Sequence, residues 1–138
     1  MNLLQTAVLT LSVLSSNIAM ANSDNGKQLF NKHCASCHGL SGGMDMSKRL
    51  APPMAGVRRH YIGTYPDEFT FVNAITDWVA SPDKNKTQMR GAIRRFGLMP
   101  KISVSSADIE KIATYIFEGK IEAPAGFAEH ERKMHGKH

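Results

Sequence analysis

An all-α domain is the fold class this sequence predicts, and three observations predict it. Ile109, Ile112, Ala113, Ile116 and Phe117 recur at the spacing of one buried helix face. Phe69, Val72, Ile75 and Val79 repeat that spacing earlier in the chain. No segment alternates apolar and polar residues as a half-buried strand does, and no internal repeat is present. With 138 residues the chain holds one domain.

The first segment is expected to stand outside that domain. Met1 to Ala21 carries no charged side chain and is rich in Leu, Val and Ala. It ends in Ala19-Met20-Ala21, the small-x-small pattern of a secretory cleavage site, although no Lys or Arg precedes the apolar part. The run is too short, and too interrupted by Ser, Thr and Asn, for a membrane span. The expected organisation is an export signal over 1–21, a folded domain over 22–119 and a flexible, charged tail over 120–138. A periplasmic protein with no stable membrane insertion after cleavage is the corresponding expectation.

The helices are placed in order along the domain. The first surrounds Gly26-Lys27-Gln28-Leu29-Phe30, with Ser23 or Asp24 as its cap. Gly26, Phe30 and Cys34 are four apart, so they share a face. Gly39 to Gly43 reads as a turn. Pro66 to Val79 reads as a helix with Pro66 in its first turn and Phe69, Val72, Ile75 and Val79 inward. A loop follows over 81–86, then a short helix from Thr87 to Phe96 with Met89, Ile93 and Phe96 inward. Ser105-Ser106-Ala107-Asp108 resembles a capping box that opens the last helix of the domain, and Gly119 stops it.

Residues 34–38 read Cys-Ala-Ser-Cys-His, and these two cysteines are the only ones in the chain. A structural disulfide across so short a loop stabilises little. A thioredoxin-like dithiol needs a strand ahead of the motif, and zinc needs a second ligand pair; neither is present. The remaining reading is the attachment signature of c-type haem. On a helix Cys34 and Cys37 lie on one face, where both thiols reach along one edge of a porphyrin, and the next residue turns His38 towards the iron. One covalently attached haem is therefore expected.

The order of Gly26, Phe30, the Cys-x-x-Cys-His run and the capped last helix resembles class I c-type cytochromes, small all-α monohaem electron carriers. The resemblance runs from about Gly26 to Gly119. It implies a helical domain wrapped around the haem, with the first helix crossing the last one beside an aromatic residue, for which Tyr115 is the candidate. It also implies a methionine as second iron ligand, since a thioether favours ferrous iron. Met44, Met46, Met54, Met89, Met99 and Met134 follow the motif. Met99 is favoured because Pro100 follows it on a loop before the last helix, the family's order, while Met54 in Ala51-Pro52-Pro53-Met54 is the rival and is expected on the side of His38. His60 is a further alternative. In similar cytochromes a proline carbonyl soon after the motif accepts the other N–H of the ligating imidazole; Pro52 and Pro53 both fit.

With a haem in the core, Tyr61, Trp78, Arg58, Arg59, Arg90 and Arg94 are candidate partners of its propionates. The net charge of +5, with basic residues at 58–59, 84–86, 90 and 94–95, favours redox protein partners with acidic docking surfaces, and no nucleic-acid motif is present. His130, Met134, His135 and His138 in the tail are possible ligands for copper or nickel, against the plainer reading of a solvated tail. The expected function is one-electron transfer through a six-coordinate His38/Met99 haem c, not catalysis by the chain itself. The competing readings are a haem-bearing module of a larger oxidoreductase and, if Met99 is not a ligand, a haem protein with an open site.

Overall fold

A computed structural model describes residues 24–136. The expected export signal, Ser23 as a cap, and His138 lie outside the described residues. Among those residues the secondary structure is helical, without strands. Residues 24–33 form α1, followed at once by α2 (Ala35–His38), a 3-10 turn (Met46–Lys48), α3 (Met54–Thr64), α4 (Glu68–Ala80), α5 (Arg90–Phe96), α6 (Ser106–Phe117) and α7 (Phe127–His135).

The core is built on α6. Ile109, Ile112, Ala113 and Ile116 are buried, four of the five positions that the periodicity marks out; Phe117, the fifth, is half-buried, and Tyr115 is buried as well. Ser105 caps this helix, its side chain accepting from the backbone N–H of Asp108 at 3.1 Å. Gly119, at φ +75°, ends it. Helix α4 packs along α6, with a smaller contact from α3.

In α4 the sequence phase needs correcting. The helix starts at Glu68 with Asp67 as its cap, its carboxylate accepting from Thr70 N at 3.0 Å, so Pro66 precedes the helix. Phe69 is 75% exposed, whereas Phe71 is fully buried and Ile75 lies one turn on from it. The ring of Phe71 meets Phe117 edge-on at 5.4 Å and Tyr61 at 6.3 Å. Residues 71, 75 and 79 continue one stripe, and Phe69, two positions before Phe71, falls on the opposite face. Helix α5 is also shorter than expected: it begins at Arg90, and Thr87 Oγ1 accepts from Met89 N at 2.9 Å just ahead of it.

The first helix crosses α6 at Gly26, which is buried. The rings of Phe30 and Tyr115 meet at 6.0 Å, tilted by 49°, beside the crossing, so Tyr115 is the aromatic residue there.

Within the charged segment that follows the last core helix, residues 127–135 form a helix. Helix α7 lies against α3: Phe127 Cε2 comes within 3.6 Å of a Cβ built on Gly56, and Arg59 pairs with Glu131. Pro124 is buried ahead of the helix. An amphipathic pattern explains this, since Phe127 and Glu131 are one turn apart on one face.

Candidate functional site

Cys34 joins α1 to α2 without a break in the backbone bonding. Its N–H donates to the Phe30 carbonyl at 2.8 Å, and its own carbonyl accepts from Cys37 N at 3.2 Å and His38 N at 2.9 Å. The helical spacing therefore brings Cys34, Cys37 and His38 to one cleft. This cleft holds about 1180 Å³ of empty space, the open solvent at its mouth included.

Its floor comes from Ile75 of α4 and Ile109, Ile112 and Ile116 of α6, with Val57 and Tyr61 of α3 beside them. Ile93 and Phe96 of α5 also line it, as do Leu98, Met99 and Pro100 from the following loop. Leu50 and Leu98 also line it although both are exposed, which places them at the mouth.

His38 Nδ1 lies 2.9 Å from the Pro52 carbonyl oxygen. A carbonyl only accepts, so Nδ1 carries the proton and Nε2 keeps its lone pair. Burial holds the imidazole pKa below its ordinary value, against the bond to Pro52, which raises it; the nearby positive charge of Arg49 lowers it further. A neutral imidazole with a fixed tautomer is the form that binds a metal. Pro53, the other candidate acceptor, is not in this bond. Its carbonyl starts α3, accepting from Gly56 N at 2.9 Å and Val57 N at 3.2 Å.

The six methionines separate by position. Met54, Met89 and Met99 line the cleft. Met44 lies beside Gly126, Met46 is in the 3-10 turn, and Met134 is exposed on α7. His60 is exposed and does not line the cleft.

The candidate propionate partners also separate. Tyr61 and Trp78 line the cleft, and burial pushes the Tyr61 phenol up to about 12. The arginines do not line it. Arg58 is committed to the end of α6: Nε donates to Ile116 O at 2.9 Å and Nη2 to Phe117 O at 2.9 Å, where a cation meets the negative end of the helix. Arg59 is committed to Glu131. Among the described residues no three His, Cys, Asp or Glu side chains gather into a metal site, in the tail or elsewhere.

One residue of the site gives no signal in the sequence. Arg49 follows Lys48 in no recognisable motif, yet it is 6% exposed and its guanidinium is spent on four loop carbonyls near His38.

The chemistry of this donor set fits a c-type haem: two thiols one helical turn apart, a neutral imidazole beside them, thioethers lining the same apolar cleft. Comparison with known proteins agrees. A family model described as Cytochrome c matches residues 23–120, which leaves α7 beyond the matched region. An uncharacterized protein of Aquifex aeolicus (strain VF5) is 29% identical over 128 residues, covering 81% of this chain and 82% of its own. No solved structure matches the chain. On the family match and the helical fold around the Cys-x-x-Cys-His cleft, the chain belongs to the cytochrome c family, whose members carry covalently attached haem and pass electrons through it.

Proposed function

We propose that this protein is a one-electron carrier with a single haem c, bonded through Cys34 and Cys37 and ligated by His38 and Met99. The observation that carries the reading is the convergence of these four side chains on one apolar cleft, with Pro52 fixing the tautomer of His38. When bound, the haem supplies an iron that alternates between ferric and ferrous states.

The residues of the chain hold that iron so that little rearranges between the two states. The cysteine thiols make thioether bonds that keep the cofactor attached. Pro52 keeps Nε2 of His38 as the donor. The isoleucines of α4 and α6 exclude water, and the low polarity together with a thioether ligand favours the ferrous state.

Met99 is the sixth ligand in this reading because of where its rivals sit. Met54 is two residues from Pro52, a span of at most ~7 Å. The Pro52 carbonyl sits at the nitrogen of His38 that faces away from the iron, so Met54 belongs to the proximal side. Met89 is tied at the start of α5 through its N–H to Thr87. Met99 lies in the loop between α5 and α6, outside any helix.

The reading extends to export and partners. In this reading residues 1–21 are an export signal, residues 22–119 are the haem domain, and the carrier works in the periplasm. Helix α5 and its cap turn Ile93, Phe96 and Met89 to the cleft while Arg90, Arg94 and Arg95 are exposed. Basic charge beside the cleft suits acidic redox partners and speeds encounter at low salt. No helix among the described residues is long and apolar enough to cross a membrane.

The test is a pyridine haemochrome spectrum with a carbon monoxide titration of the reduced protein. One thioether-linked haem per chain and no prompt carbon monoxide binding are expected. Prompt binding with a high-spin spectrum would replace the closed carrier with an open-site haem protein.

A further inference from the structure

Arg49 is a buried cation, and neither attachment of the haem nor ligation of its iron uses it. Its Nη2 donates to Gly39 O at 2.6 Å, Nη1 to Ser41 O at 2.8 Å and Gly43 O at 3.0 Å, and Nε to Ala51 O at 3.1 Å. Gly39 is the residue after His38, and Ala51 is the residue before Pro52. The guanidinium therefore ties together the two chain segments whose side chain and carbonyl make the bond between His38 and Pro52. Gly42, at φ +84°, lets the loop wrap it, since a Cβ there would stand 3.0 Å from Arg49 Cγ.

The four acceptors are neutral carbonyls. Among the described residues no ion pair involves Arg49. A guanidinium does not lose its proton in proteins, so the loop keeps an uncompensated positive charge. Reduction of a ferric centre removes one positive charge from the site, and a fixed neighbouring cation stabilises the reduced form by the same electrostatics.

We propose that Arg49 is a positioning residue for His38 and sets the reduction potential, its planar fork locking the loop over 39–51 and its permanent charge favouring the ferrous state. This rests on His38 being the iron ligand. A lysine substitution keeps the charge and loses the fork; a glutamine substitution loses both.

The experiment is a spectroelectrochemical titration of the haem-loaded full chain as wild type, Arg49→Lys and Arg49→Gln, with amide hydrogen exchange across 39–51. Arg49→Gln is expected to shift the reduction equilibrium about tenfold towards the ferric state, which is about 59 mV for one electron. Arg49→Lys is expected to stay close to the wild-type potential while the loop amides exchange faster. An unchanged potential in Arg49→Gln, or an equal fall in both variants, overturns the charge role. Should Arg49→Gln fail to take up haem, Arg49→Lys decides alone: faster amide exchange over 39–51 at a retained potential supports the proposal, and unchanged exchange or a tenfold shift of the potential overturns it. The optical spectrum of the wild type separates this from the ligand reading, since a spectrum without low-spin His ligation would sink that reading whatever the variants do.

Discussion

Gly26 lies directly against the carbonyl of Lys111: a Cβ placed on it would stand 2.5 Å from that oxygen and 2.8 Å from Tyr115 Cβ. Neither neighbour is the end of a flexible side chain, so the two helices have to separate to admit even a methyl group. Gly26→Ala is expected to destabilise the protein by ~1–3 kcal/mol, the range of overpacking in a close-packed interior. Gly63→Ala is the control. Nothing stands within 4 Å of its Cβ position, and alanine in a helix should stabilise by ~0.5 kcal/mol. Urea unfolding of both variants measures the contrast.

The two phenylalanines of α4 should differ sharply. Phe71 is fully buried and Phe69 is 75% exposed. Phe71→Ala should cost ~3–5 kcal/mol, as for other buried aromatic truncations, while Phe69→Ala should stay within ~0.5 kcal/mol of wild type. Equal effects in thermal or urea unfolding would contradict the phase of the helix.

The thiols should be unequal before the haem is attached. Burial, then the neighbouring Cys37, pushes the Cys34 thiol up to about 11, and Cys37 is exposed. A raised pKa leaves less thiolate at a given pH, and the thiolate is the nucleophile. In reduced, haem-free protein at pH 8, maleimide should label Cys37 first and Cys34 slowly. Labelling of Cys34 should accelerate as the pH rises towards 11, followed by mass spectrometry of the labelled peptides. Faster labelling of Cys34 at pH 8 would contradict its burial.

The ends of the last helix of the domain and four positions of its buried face were legible in the sequence, because Ser105, the stripe of Ile109, Ile112, Ala113 and Ile116, and Gly119 are local signals that tertiary packing did not override. The crossing at Gly26 was legible once a partner helix existed, since a glycine on an otherwise apolar helix face marks a place where another backbone comes close. The phase of α4 was not. Phe69 and Phe71 are equally apolar, and three-and-four spacing from Val72 accepts the first while four-residue spacing from Ile75 selects the second. The choice between Pro52 and Pro53 needed the backbone, because it depends on which carbonyl α3 uses for its own first turn. Arg49 was illegible for a related reason: carbonyl acceptors leave no trace in a sequence, so a buried arginine without a carboxylate partner looks like surface charge. Arg58 and Arg59 misled in the same way, being spent on a helix end and on Glu131 of a segment expected to be irregular.

The ligand pair is tested most directly by the near-red absorption band that a thioether bonded to ferric haem iron produces. The wild type should show this band, Met99→Ala should lose it, and Met54→Ala and Met89→Ala should keep it. Survival of the band in Met99→Ala, or its loss in Met54→Ala with the fold intact, would contradict ligation by Met99.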